Sequence, residues 1–263
     1  MTDALKYQRA SMSRRLREHH KDLREAEVWI KDVPQRGRFR VALVYPNLYY
    51  VGMSNLGFQC VFEMLNAQAD VLCERAFLPD DIHTEELEQG GSPLVTLDSA
   101  TPLRDFDMVA FSVSFENDYL HVLKVLRLAG IPLRAKDRTD RDPLVVLGGA
   151  ALFLNPEPLA PFADLIAVGE GEALVPKMMD TILGAETPRK GVEQLQPKDG
   201  FYVPSRYEVR YQAPHADYRI VVENPGRVNR GVQRLEVDGV ECPGQEITLV
   251  NDDAVHTVRV VLG

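Results

Sequence analysis

Five short segments, Phe39–Tyr45, Asp70–Glu74, Met108–Phe115, Leu144–Leu147 and Leu165–Val168, are apolar on both of their faces. A strand tolerates that pattern where helices cover both sides of its sheet, as they do in parallel sheets. Between the segments run stretches with one-sided apolar stripes at helical spacing. These are Phe58, Val61, Phe62 and Leu65; then Tyr119, Val122, Leu123 and Leu126; then Val175, Met178, Met179 and Ile182. The alternation predicts an α/β domain with a flavodoxin-like, doubly wound, mainly parallel sheet of five strands over residues 38–211. In that strand order ligands sit beyond the carboxyl ends of the strands, at the switch between strands 1 and 3. The loops after Tyr45, Val113 and Leu147 would line such a crevice.

Each loop carries distinctive residues. After the first strand, Gly52 and Gly57 permit close backbone approach, and Ser54 is a candidate cap for the next helix. After the third, Ser112 and Ser114 place two hydroxyls on one side of the strand. After the fourth, Gly148-Gly149-Ala150 leaves room for a flat or bulky ligand against the backbone. Glu170 and Glu172 of Gly169-Glu170-Gly171-Glu172 fit a role at the positive end of a helix dipole better than metal or acid–base work. His83 and His121 lack metal-binding partners at ligand spacing.

The flanks differ in character. Leu5, Met12, Leu16, Leu23 and Ile30 form a narrow stripe that predicts a helix from Leu5 to Lys31, broken by Pro34 to Gly37. Residues 1–40 hold eleven Lys/Arg against six Asp/Glu, so the net charge of −9 is unevenly spread. Acidic residues alternate with the basic ones at helical spacing, which suits a solvated helix face, and no nucleic-acid partner is expected. Residues 212–263 read as a small antiparallel β module, with strands at Asp217–Val222, Gln233–Val237, Ile247–Val250 and Thr257–Leu262 and a hairpin turn at Asp238-Gly239. No apolar run approaches the roughly 20 residues of a membrane span. The N-terminus lacks the apolar core of a signal peptide. Cys60, Cys73 and Cys242 are too scattered for a disulfide framework. A cytoplasmic protein with no membrane partner is the expectation.

Several long segments carry a resemblance: VALVYPNLYYVGMSNLGFQ, ERAFLPD, FSVSFENDY, VLGGAALFLNPEPLAPFADLIAVGEGE and GFYVPSRYEV. From Arg38 to Tyr211 the chain resembles the N-terminal, cobalamin-binding-like domain of a family of radical S-adenosylmethionine (SAM) proteins. Such domains share Asp-x-His-x-x-Gly after strand 1, a Ser-x-Leu-like element after strand 3 and Gly-Gly after strand 4. Here these read Asn47-x-Tyr49-x-x-Gly52, Ser112-Val113-Ser114 and Gly148-Gly149. The resemblance implies cofactor-binding positions at Asn47, Tyr49, Gly52, Ser112, Ser114, Gly148, Gly149 and Glu170, and a radical SAM catalytic domain as partner in a parent protein.

Two departures shape the expectation. A phenol at Tyr49 cannot replace the histidine that ligates cobalt, nor Asn47 the carboxylate that orients it, so cobalamin held that way is excluded. Cobalamin bound without a protein axial ligand stays open. Radical SAM enzymes also share Cys-x-x-x-Cys-x-x-Cys, which holds an iron–sulfur cluster, and the three cysteines here are not clustered. No cluster and no catalytic residue are expected in this chain, which reads as an accessory domain inactive by itself. A stand-alone ligand- or protein-binding module of flavodoxin-like fold is the alternative.

The phrase from Tyr218 to Gly263 resembles the extreme C-terminus of carbohydrate phosphorylases of the cellobiose phosphorylase type, without their catalytic or phosphate-binding residues. Residues 212–263 are accordingly expected to be a fused or chimeric tail, and a phosphorylase fragment is the third reading.

Overall fold

The computed structural model describes residues 14–29, 34, 36–202, 206–213, 216–225, 231–244, 246–250 and 252–263. The chain divides into two compact units, Met1–Gln194 and Leu195–Gly263.

The first unit begins with helix α1 (Arg14–Glu25), which buries Leu16 and Leu23 and exposes its charged residues. Leu5, Met12 and Ile30 of the expected stripe lie outside the described residues. There follow β1 (Phe39–Tyr45), α2 (Tyr49–Met53), α3 (Leu56–Asn66), β2 (Val71–Phe77), α4 (Asp81–Gly90), β3 (Met108–Ser112), α5 (Tyr119–Leu128), β4 (Leu144–Gly148), α6 (Ala150–Leu154), β5 (Leu165–Ala167), α7 (Gly171–Gly184) and α8 (Pro188–Gln194). Strands β1 to β5 pair in parallel in the order 2-1-3-4-5. This is the flavodoxin-like architecture that the pattern predicts.

The strands are buried on both faces, as their composition requires: Val41, Val44, Val109, Val145 and Leu147 are inaccessible to solvent. Helix α7 buries all four residues of its expected stripe, Val175, Met178, Met179 and Ile182. Helix α3 starts at Asn55, whose side chain accepts the Phe58 N–H at 2.9 Å. Ser54, the expected cap, instead donates its hydroxyl to the Val51 carbonyl. Asn55 wins because its backbone is extended at the cap position while Ser54 is already helical, ending α2.

Buried charges tie the layers together. Arg75 on β2 makes a two-pronged pair with Glu27 (2.7 and 2.9 Å) and reaches Asp98 at 2.6 Å. Burial alone would lower the Arg75 pKa, but the hydrogen bonds to Glu27 and Asp98 outweigh it and hold the guanidinium charged. Arg138 meets Asp164 at 2.6 Å, and Asp164 also accepts from the Val145 N–H and from Arg189.

The second unit contains a two-residue β6 (Phe201–Tyr202), too short for the sequence pattern to reveal, and then β7 (Arg206–Ala213), β8 (Ala216–Glu223), β9 (Arg234–Val237), β10 (Val240–Glu241) and β11 (Val255–Val261), which form a sheet in the order β10-β9-β11-β8-β7. Three of its pairings are antiparallel and β11–β8 is parallel. The division at Gln194 falls before the change of sequence character near Tyr211, since β7 runs through that point and pairs with β8 over its whole length. The hairpin turn forms at Asp238-Gly239, both in the left-handed region with φ of 51° and 81°. Ile247–Val250 is not a strand; Val250 instead gives its N–H to the Tyr218 hydroxyl at 2.6 Å. Tyr218, Leu235, Val258 and Ala216 form the buried centre of this unit.

Candidate functional site

A cleft of about 530 Å³ opens at the carboxyl ends of β3 and β4 and beside the loop after β5. That volume suits a small ligand or cofactor, for which pockets of roughly 300–1,000 Å³ are usual. Its floor is the tips of β3 and β4, its walls are α3 and α7, and Phe153 of α6 stands half-exposed at its edge.

The floor is built by a close crossing of two loops. The Val113 N–H donates to the Gly148 carbonyl at 2.7 Å, and the Ala151 N–H to the Val113 carbonyl at 3.2 Å. Gly149 sits at φ +115°, and a Cβ there would lie 2.4 Å from the Val113 carbonyl oxygen. No other residue fits that position without displacing backbone. Gly148 is different: a Cβ on it would meet Ala167 at an ordinary 3.8 Å, so this glycine leaves open space in the cleft.

Five of the positions singled out from the sequence, Ser112, Ser114, Gly148, Gly149 and Glu170, line this cleft. Ser114 accepts a hydrogen bond from the Asn55 side chain at 3.1 Å, which locks the α3 cap to the β3 loop. Ser112 is only 9% exposed, and its hydroxyl has no hydrogen-bond partner among the described residues. Glu170 occupies the cap position of α7 without a side-chain capping bond, and Glu172 lies in the first turn; both are exposed at the cleft edge. Cys60 of α3 is half-buried in the same wall.

Asn47, Tyr49 and Gly52 are not among the residues lining this cleft. Asn47 donates its amide to the buried Asp118 at 2.8 Å, clamping the loop after β1 to the loop after β3. Tyr49 donates its hydroxyl to Glu27 at 2.8 Å, the carboxylate that also holds Arg75. Burial and that hydrogen bond raise the Tyr49 pKa well above the usual phenol range. Gly52 packs under an aromatic ring, with a hypothetical Cβ 2.6 Å from Phe77. A neutral phenol committed to a carboxylate does not fit the role of a cobalt ligand, and the residues of this loop do not supply an axial group for cobalamin.

Asp118, Asn55 and Phe153 are the site residues that sequence reasoning missed. Asp118 accepts from Asn47, lies 3.1 Å from His121 Nδ1, and its second carboxylate oxygen is buried with no partner among the described residues. The only signal for it was its position in the polar run Glu116-Asn117-Asp118 directly after a buried strand. His83 is buried with Nδ1 2.7 Å from Asp80. Among the described residues no group of three or more His, Cys, Asp or Glu side chains could hold a metal ion.

A second hollow of about 580 Å³ lies between Trp29, Met53 and Phe62. Although larger, it offers less chemistry. Its basic group is Arg75, and every guanidinium nitrogen of Arg75 is already engaged by Glu27 or Asp98. The cleft at the strand ends is the better candidate.

With that geometry in place, comparison with known proteins is decisive. Residues 57–204 match the family described as radical SAM proteins, N-terminal. The chain belongs to this family. The match runs from α3 through β6 and contains the whole floor of the cleft, while Asn47, Tyr49 and Gly52 precede it. An uncharacterized protein of Methanocaldococcus jannaschii is 25% identical over 134 residues, which make up 50% of this chain and 24% of that protein. The chain thus spans about a quarter of the length of that relative. An α/β architecture frames the site, and no helix among the described residues is long and apolar enough to cross a membrane.

Proposed function

We propose that the chain is a ligand-binding accessory domain of a radical SAM protein and performs no radical chemistry by itself. The observation that carries this reading is the cleft at the ends of β3 and β4, lying within the family match and built by Gly148 and Gly149. Support for the accessory role comes from the cysteines. Cys60, Cys73 and Cys242 are free and far apart in sequence, and burial pushes the Cys73 thiol well above the usual range, which disfavours a thiolate ligand. A partner domain with the cysteine run would supply the cluster. On this reading the cleft holds the group that the partner acts on or works with, and Asn47–Asp118 and Asn55–Ser114 keep its loops in register.

The test is anaerobic reconstitution of the purified chain with iron and sulfide, followed by reduction in the presence of S-adenosylmethionine. We expect no iron–sulfur absorbance and no 5′-deoxyadenosine; production of 5′-deoxyadenosine by the chain alone overturns the accessory reading. Titration with hydroxocobalamin separates the cofactor options. Binding without a change at the lower axial position supports cobalamin in the cleft without a protein ligand, and absence of binding supports a different occupant.

A further inference from the structure

The cleft has a charge character of its own. No Lys, Arg or His is among the residues lining it, and its charged groups are Glu170 and Glu172. The rest of the lining is mostly apolar, with Val61, Met64, Phe153 and Leu174 facing glycine-bordered strand tips. Besides the five-residue α6, the two longer helices α3 and α7 begin at this cleft, an arrangement that in other proteins receives phosphate. Here both helix starts are already served. The Asn55 side chain takes the Phe58 N–H of α3. At α7, Glu170 and Glu172 set two negative charges against the positive end of the dipole. A phosphate entering this space would meet carboxylates and no balancing cation, and shedding its hydration shell there would be uncompensated.

The second, independent observation is Ser112. Ser112 is a residue only 9% exposed that lines the cleft floor, and its hydroxyl, with no partner among the described residues, is open to a hydrogen bond from whatever fills the space. Gly148 leaves room beside it.

We infer that the cleft takes a flat, largely apolar ligand that is neutral or cationic, hydrogen-bonded by Ser112 on the floor and facing Glu170 and Glu172 at the edge, and that it rejects phosphorylated nucleotides. This rests on the reading of the cleft as a ligand site. The two carboxylates are exposed, so their pull is screened by solvent and salt and amounts to a severalfold preference.

The experiment uses the full chain at low salt and three planar tricyclic fluorophores: proflavine, a cation; riboflavin, neutral; and flavin mononucleotide, which is riboflavin with a phosphate. Fluorescence anisotropy should show riboflavin binding about tenfold more tightly than flavin mononucleotide, and proflavine more tightly than riboflavin. Glu170→Gln with Glu172→Gln should weaken proflavine about threefold and narrow the gap between riboflavin and its phosphate, with riboflavin itself unchanged. Ser112→Ala should weaken riboflavin severalfold. Ala150→Trp, at an exposed residue on the cleft wall, should block all three. Flavin mononucleotide binding as tightly as riboflavin, with both sensitive to Ala150→Trp, overturns the charge inference and leaves the cleft reading standing. Failure of all three probes to bind, or binding that Ala150→Trp leaves intact, takes down the cleft reading itself.

Discussion

The two units stabilise a sheet in different ways. In Met1–Gln194 the strands are sandwiched by helices, and the charges that enter the core come in hydrogen-bonded sets such as Arg138–Asp164–Arg189. In Leu195–Gly263 the buried centre among the described residues is Ala216, Tyr218, Leu235 and Val258, and ion pairs such as Arg259–Glu223 lie at the surface. The first arrangement can hold rigid loops at strand ends, which a binding cleft needs. In the second, Tyr218 and its neighbours Leu235 and Val258 carry the described centre. Even their histidines diverge. His20 in the first unit is depressed to about 4, chiefly by burial and then by the charges of His19, Arg24 and His83. His256 in the second is raised, first by its hydrogen bond to Asp238 and then by that to Asp252.

Breaking one unit at a time is the sharpest test of this contrast. Arg138→Met removes the fully buried cation of the set and leaves the Asp164 carboxylate, which is 4% exposed, to Arg189 and the Val145 N–H. Loss of one partner of such a pair costs about 3–5 kcal/mol, so urea unfolding followed by the single tryptophan, Trp29, should shift accordingly. Near-wild-type stability of that variant would show that the buried set is dispensable. Tyr218→Ala should cost the second unit about 3 kcal/mol, since it removes a buried ring and the hydroxyl that holds Val250. Hydrogen exchange is expected to rise throughout β8, β9 and β11 and to leave β1 to β5 unchanged. Asn55→Ala removes the α3 cap for about 1 kcal/mol, again seen in the Trp29 transition, and should weaken cleft binding more than stability because Ser114 loses its anchor.

Acid should act on the two units in opposite senses, and this effect is the smallest expected. A folded-state pKa below the unfolded value means the unfolded chain binds the proton more readily. His20 therefore contributes stability near neutrality that is lost as pH falls from about 6.5 toward 4. His256, with its pKa raised, contributes below the unfolded value, and that contribution fades as pH rises through the folded one. The carboxylates Asp238 and Asp252 are lowered by their hydrogen bonds to His256, so their share disappears only in stronger acid. Amide protection corrected for intrinsic rates, compared between pH 7 and 5, should fall around α1 and rise around β11. Parallel changes in both units would refute the assignment.

Which parts of this were legible beforehand follows from range. The extent of β1, the α7 stripe and the Asp238-Gly239 hairpin rest on neighbours in sequence, and all three form as the pattern predicts. Helix α4 was not read as a helix because it buries only His83, Thr84 and Leu87, too thin a stripe to stand out, although Asp80 caps its start and Gly91 its end. Ile247–Val250 has the apolar content of a strand but spends its backbone on Tyr218. For the site, Ser112, Ser114, Gly148, Gly149 and Glu170 converge because parallel strands bring successive loops to one edge. The separate placement of Asn47 and Tyr49 could not be foreseen, since it depends on Asp118 and Glu27, 71 and 22 residues away.

The wall of the cleft also contains its own chemical reporter. Cys60 faces the space that a ligand would occupy, whereas Cys73, inside β2, is sealed from solvent and held as an unreactive thiol. Cys60 also borders the neighbouring hollow, so alkylation by a maleimide, read peptide by peptide in a mass spectrometer, reports filling of either space, and Ala150→Trp, which blocks the cleft alone, tells the two apart. Crude metabolite fractions can be screened by the shielding they give to that one sulfur, long before the occupant has a structure or a name.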